Sequence, residues 1–230
     1  MSQFKVAVYL FPKADVLDFS GPVEMYSHTY EGTEEKMFSI TSFAHHNPVQ
    51  SASSPLVYIP DATFADISAR IEDFDILVIP GAHFSTIADL IEAKEGKELS
   101  QLIQKFVQAK PRPETGKRIL QSVCSGSVLL AASGVLAGRT ITTHHMGLDM
   151  LKKVADDAAG GDSKVNVVRQ RWVDAGTTEA GVRIVNAGGV TSGIDASLWI
   201  LEQIHGKKVA DHVAEVAEFE RREAAWGISA

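Results

Sequence analysis

A strand that runs directly into a helix is the feature of this sequence that most constrains its fold. Residues 118–134 read RILQSVCSGSVLLAASG, in which the short apolar run 119–123 is followed after two residues by a helix-like segment at 128–132. Such a corner is typical of α/β folds, in which a parallel strand is followed by a helix that packs on the same sheet. Cys124, the only cysteine of the chain, lies at this corner.

Cys124 is therefore a candidate nucleophile. A tight turn between strand and helix aims its side chain at the positive end of the helix, which favours an anion by roughly 0.3–1 kcal/mol and lowers a thiol pKa. Ser125 and Gly126 follow, and a small residue beside the nucleophile lets such a turn close. The alternative is that Cys124 is a packing residue, since free cysteine is among the most buried residue types.

Strand-like and helix-like segments alternate along most of the chain. Strands are expected at residues 6–11, 37–44, 56–59, 75–79, 119–123 and 139–143, with a β-hairpin formed by 165–174 and 182–187. Helices are expected from Gly21, around 99–107, at 144–155, after 191–192 and at 209–225. This order predicts a mostly parallel sheet with helices on both faces. With neither repeat nor linker in view, residues 1–230 are expected to form one domain.

Several reactive side chains follow predicted strands. In open α/β sheets, ligands bind outside the carboxyl ends of the strands. Asp18 comes after the first strand, the Pro-Gly-Ala-His segment 80–83 after a middle one, and Cys124 after the next. Asp15 and Asp18 are interpreted as exposed loop carboxylates, and Asp18 could equally form an Asx turn or cap the helix expected from Gly21.

The histidine and glycine pairs give weaker signals. His144 and His145 open a predicted helix without an acidic or thiol partner at ligand spacing, so we expect capping and surface roles and no metal site. The pair at 45–46 lies beside a turn and is expected to be exposed. Gly188 and Gly189 depart from the order of a dinucleotide-binding motif, so they give little support to a dinucleotide site.

Composition excludes several functional classes. The net charge of −7 and the isoelectric point near 5.6, without clustered Lys and Arg, argue against nucleic-acid binding. No apolar run approaches 18 residues, so no membrane span is expected. A single cysteine excludes an intrachain disulfide, and the N-terminus lacks the pattern of a signal peptide. These features predict a cytoplasmic protein.

Four segments resemble the ThiJ/PfpI superfamily, and within it the branch that contains isonitrile hydratases. In order, they are LFPKADVLDFSGPVEMYS, LVIPGAH, SVCSGSVLLAASGVLAGRTITTH and GGVTSGIDASLWILEQIHG. The resemblance covers roughly residues 6–219. It implies a flavodoxin-like three-layer sandwich with a nucleophile elbow, in a single domain of the class I glutamine amidotransferase type. The aspartate in LDFSGP, where other branches have glutamate, points to the hydratase-like branch.

The resemblance also implies roles for individual residues. Cys124 would be the nucleophile, Asp18 its acid/base partner, and Ser125 the residue beside the thiol. The backbone N–H groups of Gly81, Ala82 and Ser125 would form a small anion-stabilising nest.

His144 is a further candidate for contact with the substrate. Two departures from the family pattern bear on this site. The family commonly has two glycines after Ile-Pro, whereas the second is Ala82 here, which would be strained if that position requires a positive φ. His145 stands where the hydratases have a tryptophan, which would alter the pocket.

The implied activity is the hydration of an isonitrile to an N-substituted formamide, without metal or organic cofactor. Cys124 would attack the terminal carbon to give a thioimidate, and Asp18 would supply the proton and then help to activate water. Two alternatives stay open: a glyoxalase-like enzyme acting on methylglyoxal, and a non-catalytic protein that senses small molecules or oxidants through its thiol. A regulator is disfavoured because no basic patch or helix-turn-helix segment follows the last predicted helix.

The resemblance further implies a homodimer. Pro22, Val23, Met25 and Tyr26 place more apolar surface on the helix from Gly21 than a solvent-facing helix start needs. We therefore expect this helix to lie in the two-fold interface, where it would hold the Asp18 loop rigid. The alternative is that these side chains cover the sheet of their own chain.

Overall fold

A mostly parallel sheet forms the centre of the protein, for which a computed structural model describes residues 3–51 and 55–225. The strands are β1 (Phe4–Leu10), β2 (Phe38–Ala44), β3 (Val49–Gln50), β4 (Val57–Tyr58), β5 (Ala62–Thr63), β6 (Ile76–Ile79), β7 (Arg118–Ser122), β8 (Thr140–Ile141), β9 (Asn166–Val167), β10 (Trp172–Thr177) and β11 (Val182–Ala187). The helices are α1 (Val16–Ser27), α2 (Phe64–Ala69), α3 (Phe84–Glu92), α4 (Lys94–Gln108), α5 (Gly126–Ala132), α6 (Leu148–Ala159), α7 (Ser192–His205) and α8 (Lys207–Val216).

Seven of these strands form the central sheet, in the order β10-β11-β7-β6-β1-β2-β5. Every neighbouring pair is parallel except β10 and β11, which form the predicted antiparallel hairpin. Contacts join α1, α7 and α8 into one helical layer and α3, α4, α5 and α6 into another. The flavodoxin-like α/β architecture is therefore confirmed. No helix within the described ranges has the length and apolar character needed to cross a bilayer.

The strand order indicates where along the sheet a ligand site is expected. β1 lies between β2 and β6, and the chain passes from β1 first to β2 and later to β6. The connections therefore diverge beside β1, and crevices at such switch points are the usual ligand sites of open α/β sheets. All four residues of β6 are fully buried, as expected for a central parallel strand covered on both faces.

The start of α1 differs from the sequence prediction. The helix begins at Val16 rather than Gly21, so Pro22 lies inside it. Asp15, which has extended backbone angles, occupies the N-cap position, so the alternative in which Asp18 caps the helix is wrong. Proline lacks an N–H, so the carbonyl of Asp18 four residues earlier has no helical donor from that position. Because the helix begins at Val16, Asp18 lies in its first turn and not in a loop.

Other boundaries were also too long in the prediction. The expected strand 56–59 is reduced to β4, which pairs with β3 outside the central sheet, and 139–143 is reduced to β8. The last helix ends at Val216 rather than 225, and residues 145–147 form a 3₁₀ turn before α6 begins. In the hairpin, the first strand begins at Trp172, not at 165. Helix and strand ends depend on capping and pairing partners that periodicity alone does not specify.

Candidate functional site

Cys124 has the strained corner geometry that its position predicts. Its φ of 55° lies in the left-handed region, and its side chain is only 5% exposed. The N–H of Cys124 donates to the carbonyls of Gly188 (2.8 Å) and Ala187 (3.2 Å), at the end of β11. Its own carbonyl accepts hydroxyl hydrogen bonds from Thr143 (2.9 Å) and Ser127 (3.2 Å). A strained backbone of this kind costs of order 1–3 kcal/mol and persists only when its surroundings enforce it.

Gly126 lets the corner close against β6. A Cβ at this position would lie 2.4 Å from the carbonyl oxygen of Ile79 and 2.8 Å from that of Pro80. No side chain fits at those distances, so glycine is required by close backbone approach.

Asp18 is buried beside the thiol. Its side chain is 0% exposed, and one carboxylate oxygen, Oδ2, accepts the N–H of Gly81 at 3.0 Å. The other oxygen, Oδ1, is buried without a hydrogen-bond partner. Carboxylate atoms of Asp15 and Asp18 and the sulfur of Cys124 all lie within 4.8 Å of one another. The expectation of an exposed loop carboxylate at Asp18 is therefore wrong, because α1 carries this residue into the crevice.

Burial changes the acidity of both groups. Desolvation, assisted by the charge of Asp15, raises the pKa of Asp18 to about 7, against the opposing effects of the Gly81 N–H and the thiol. Desolvation, followed by the charge of Asp18, raises the pKa of Cys124 to about 12. The N–H groups of Ser125 and Val190 hydrogen-bond the sulfur and act in the lowering direction. The predicted lowering of the thiol pKa is therefore wrong: burial and neighbouring carboxylates outweigh the helix end.

The two pKa shifts are coupled, since a charge on either group disfavours a charge on the other. At neutral pH, the Cys124 thiol keeps its proton while Asp18 is partly ionised, so the pair holds at least one proton and the Asp18 carboxylate can accept it from the thiol. The arrangement is thus a buried acid–base pair rather than a free thiolate.

The predicted anion nest is largely occupied. The N–H of Gly81 serves Asp18, and the N–H of Ala82 donates to the hydroxyl of Ser125 at 2.9 Å. The Ser125 hydroxyl donates in turn to the Ala82 carbonyl at 2.6 Å. The backbone donors that face the sulfur are instead those of Ser125 and Val190. Ala82 is not among the residues with positive φ, so it carries no strain of the kind considered above.

Gly81 is the glycine that this site requires. A Cβ there would lie 2.6 Å from both the N and the Oγ of Ser125, and 2.9 Å from Oδ2 of Asp18. Its carbonyl also accepts the N–H of Asp15 at 2.9 Å, and Ala82 forms a backbone bridge with Ala14. These contacts join the loop after β6 to the start of α1 and so set the position of Asp18.

Histidines line the rim of the site. His144 caps the 3₁₀ turn, with its Nδ1 accepting the N–H of Met146 at 3.3 Å, so its predicted capping role agrees with the structure. His145 is exposed, as predicted. Burial raises the pKa of Asp15, whereas the positive charges of His144 and His83 lower it, which places both rings near this carboxylate. His83 was noticed in the sequence only as part of the loop after β6.

The loop after β11 is the part of the site that sequence reasoning missed. In the sequence, Gly188 and Gly189 were considered only as a possible dinucleotide-binding motif, whose order they do not match. In the structure, a Cβ on Gly189 would lie 2.9 Å from the His144 ring, and Val190 has the unusual φ of 22°. Two adjacent glycines before a helix are a signal for close backbone approach that could have identified this loop.

Asp15, Asp18 and Cys124 are also the donors close enough to share a metal ion within the described residues. A metal ion would have to displace the proton that the Asp18–Cys124 pair retains at neutral pH.

His45 departs from the prediction of exposure. Its side chain is 11% exposed, its ring stacks on Phe64 at 3.8 Å, and its Nδ1 lies 3.0 Å from the hydroxyl of Tyr9. It borders a cleft of about 690 Å³ that also includes Glu98 and Lys105. None of the candidate site residues lines this cleft, so cavity size does not identify the reactive centre.

Comparison with known proteins agrees with the fold. The model of the DJ-1/PfpI family matches residues 4–203. The chain belongs to the DJ-1/PfpI family. An isonitrile hydratase of Pseudomonas putida is 26% identical over 215 residues, covering 94% of this chain and 78% of that protein. A Streptomyces lividans protein described as an uncharacterized protein in the cpoL 5' region is 33% identical over 140 residues, 61% of this chain and 86% of the relative.

Solved structures of the family share the fold. A ThiJ/PfpI family protein from Pseudomonas syringae has a TM-score of 0.71 at 23% identity, covering 100% of this chain and 80% of that one. Drosophila melanogaster DJ-1beta has a TM-score of 0.68 at 16% identity, with coverages of 95% and 100%. An AraC family transcriptional regulator from Pseudomonas putida has a TM-score of 0.69 at 14% identity, with coverages of 93% and 99%. At these identities the likeness extends to the fold and not to activity.

Replacing Gly81 tests the packing of the site. We expect Gly81→Ala to lower the free energy of unfolding by about 1–3 kcal/mol, because its Cβ must displace Ser125 or Asp18. The matched variant Ala82→Gly adds only backbone freedom and should cost about 0.4–1 kcal/mol. Urea unfolding measures both. Equal losses in the two variants would contradict the close approach at Gly81.

The burial of Asp18 predicts an unusual pH dependence of stability. Its folded pKa of about 7 lies above the reference value of 3.8, so the folded protein binds this proton more tightly. Stability therefore falls as pH rises from about 4 to about 7. Asp18→Asn removes this effect, so its stability relative to wild type should increase by up to about 4 kcal/mol between pH 4 and pH 8. Exposed Asp149→Asn is the control; parallel curves for wild type and Asp18→Asn would disprove the assignment.

Proposed function

We propose that this protein is a cofactor-independent hydratase that converts isonitriles to N-substituted formamides through a thioimidate on Cys124. The observation that carries the proposal is the buried contact between the Asp18 carboxyl and the thiol, with one proton available to the pair. Membership of the DJ-1/PfpI family and the 26% identity to an isonitrile hydratase support the choice of substrate class.

The first half-reaction uses one nucleophile and one proton. As the sulfur of Cys124 attacks the terminal carbon of R–NC, its proton passes to the Asp18 carboxylate, and an S–C bond forms. The protonated Asp18 then delivers this proton to the same carbon, giving the thioimidate R–N=CH–S. Unpartnered Oδ1 of Asp18 is the oxygen free for this transfer. The N–H groups of Ser125 and Val190 stabilise the sulfur as it gains negative charge.

Water completes the reaction. The Asp18 carboxylate takes a proton from water, whose oxygen adds to the thioimidate carbon, and Asp18 then passes this proton to the nitrogen. The resulting intermediate loses the C–S bond, forms the formyl C=O and returns a proton to the sulfur. The sum is R–NC plus water to R–NH–CHO, with the cysteine and the aspartate restored. No oxidant or reductant enters the balance.

Turnover of a simple aryl isonitrile, followed as formamide by chromatography, tests this mechanism. Cys124→Ala should abolish turnover, because no other thiol exists in the chain. Asp18→Asn should reduce kcat by roughly 100-fold or more, the usual contribution of a positioned acid–base group. Asp149→Asn, an exposed substitution of the same type, should retain wild-type turnover.

Other outcomes of this assay contradict different parts of the proposal. Full activity in Cys124→Ala excludes the covalent route. Absence of wild-type activity across several aryl and alkyl isonitriles excludes the substrate class. Conversion of methylglyoxal to lactate in the same preparation would then favour the glyoxalase-like alternative. A sensing role is less favoured, because the thiolate is the species that oxidises and burial keeps the thiol of Cys124 protonated.

Three of the four apolar side chains expected at the dimer interface are buried within their own chain, and the fourth, Val23, is half-buried. Met25 is 3% exposed and Tyr26 is 0% exposed, with the Tyr26 hydroxyl donating to Gln121 at 2.7 Å. Pro22 is buried as well. These side chains cover the sheet, so their apolar character is no argument for a dimer, and substitutions at Met25 or Tyr26 would perturb folding.

We propose instead that the homodimer forms through the β3–β4 hairpin. Three apolar side chains in and beside β4 are strongly exposed: Leu56 at 49%, Val57 at 55% and Ile59 at 78%. The hairpin is joined to the Asp15 loop, since the N–H of Lys13 donates to the carbonyl of Gln50 at 2.9 Å. A second copy of the chain seated here would cover this surface and brace the approach to the site.

Light scattering tests the assembly. Wild type should have the mass of a dimer at micromolar concentration, and Ile59→Lys should shift it towards the monomer by placing a charge in the apolar contact. Val216→Lys is the control, because Val216 is an exposed apolar residue, 54%, on α8, away from the hairpin. A monomeric wild type, or dimers unaffected by Ile59→Lys, would refute this interface.

A further inference from the structure

Arg171 is a buried cation whose contacts converge on the loop after β11. Its side chain is 8% exposed and its Nε donates to Oδ2 of Asp195, itself 1% exposed, at 2.5 Å. The two terminal nitrogens donate to the hydroxyls of Ser192 (3.2 Å) and Thr191 (3.0 Å). A guanidinium presents its donors in a rigid fork, so one side chain fixes the entry into α7 at three points.

The backbone of Arg171 continues this connection to the nucleophile. Its carbonyl accepts the N–H of Gly188 at 2.8 Å, and the Gly188 carbonyl accepts the N–H of Cys124 at 2.8 Å. A Cβ on Gly188 would lie 2.9 Å from the carbonyl oxygen of Gln170, so the segments are in close contact. Two consecutive hydrogen bonds thus join Arg171 to the strained corner.

The loop itself needs such support. Val190 has a φ of 22°, a conformation that β-branched residues rarely adopt and that persists only when neighbouring contacts enforce it. Its N–H is one of the two backbone donors to the sulfur of Cys124. Loss of the Arg171 contacts would let this loop relax away from the thiol.

A segment from beyond α8 completes the arrangement. The N–H of Arg222 donates to Oδ1 of Asp195 at 2.7 Å, and the N–H of Arg171 donates to the carbonyl of Ala224 at 2.8 Å. Both oxygens of Asp195 are therefore engaged. The family match ends at residue 203, so these contacts come from outside the matched region.

We propose that Arg171 is a positioning residue for Cys124: with Asp195 it holds the loop 188–192 against the nucleophile, and residues 222–224 lock this clamp. The inference rests on the proposed function only in taking Cys124 as the reacting atom. Arg171 acts through the loop and has no contact with substrate in this assignment.

Alkylation of Cys124 by iodoacetamide, measured from about pH 7 to pH 10, tests the clamp without any isonitrile. Arg171→Gln should lower the rate roughly tenfold at each pH, because the thiolate loses a backbone donor. Arg171→Lys keeps the positive charge but loses the planar set of guanidinium donors, so its alkylation rate should lie between those of Arg171→Gln and wild type. Exposed Arg169→Gln is the matched control and should react like wild type. An unchanged or faster rate in folded Arg171→Gln overturns the proposal.

A second pair of variants covers the case in which Arg171→Gln does not fold. Arg222→Pro removes the N–H donated to Asp195, whereas Arg222→Ala retains it. We expect alkylation to slow about threefold in the proline variant and to stay at the wild-type rate in the alanine variant. Equal rates in the two variants overturn the lock. The alkylation rates do not depend on isonitrile turnover. A wild type that is inactive towards isonitriles would therefore contradict the proposed function without contradicting the role of Arg171.

Discussion

The left-handed backbone at Cys124 is the constraint on which the site depends. It is held by carbonyls at the end of β11 on one side and by hydroxyls of Thr143 and Ser127 on the other. Thr143, Ala187 and Gly188 lie 19 or more residues from the cysteine in the chain, whereas Ser127 is local. The reactive corner therefore depends on the assembled sheet as well as on the local sequence, and each distant segment that contributes a partner also contributes to reactivity.

Burial raises the pKa of Asp18, the acid–base partner of Cys124. Asp18 titrates near neutrality because α1 carries it out of water and places it beside another carboxylate. The same burial that makes Asp18 a proton donor at neutral pH opposes folding, since an ionised carboxylate without full hydrogen bonding is costly in the interior. Stability and proton transfer are thus in direct opposition at this residue.

The sequence was most informative about residues whose position follows from the alternation of strands and helices and from the ends of the strands. Parallel strands bring their carboxyl ends to one edge, so Asp18, Gly81 and Cys124 could be placed together from their order alone. The burial of Asp18, the raised thiol pKa and the contacts of Arg171 could not be predicted. They depend on packing between segments far apart in the chain, and hydrophobic periodicity carries no information on such contacts.

The clamp also extends the site beyond the sheet. Arg222 lies 98 residues after Cys124 in the chain, yet its backbone N–H completes the hydrogen bonding of Asp195, which holds Arg171 in place. A chain without residues 222–224 would still contain Cys124, Asp18 and every strand of the central sheet, but it would lack the contacts that fix the loop over the sulfur. The reactive corner therefore requires a longer polypeptide than the sheet that carries it.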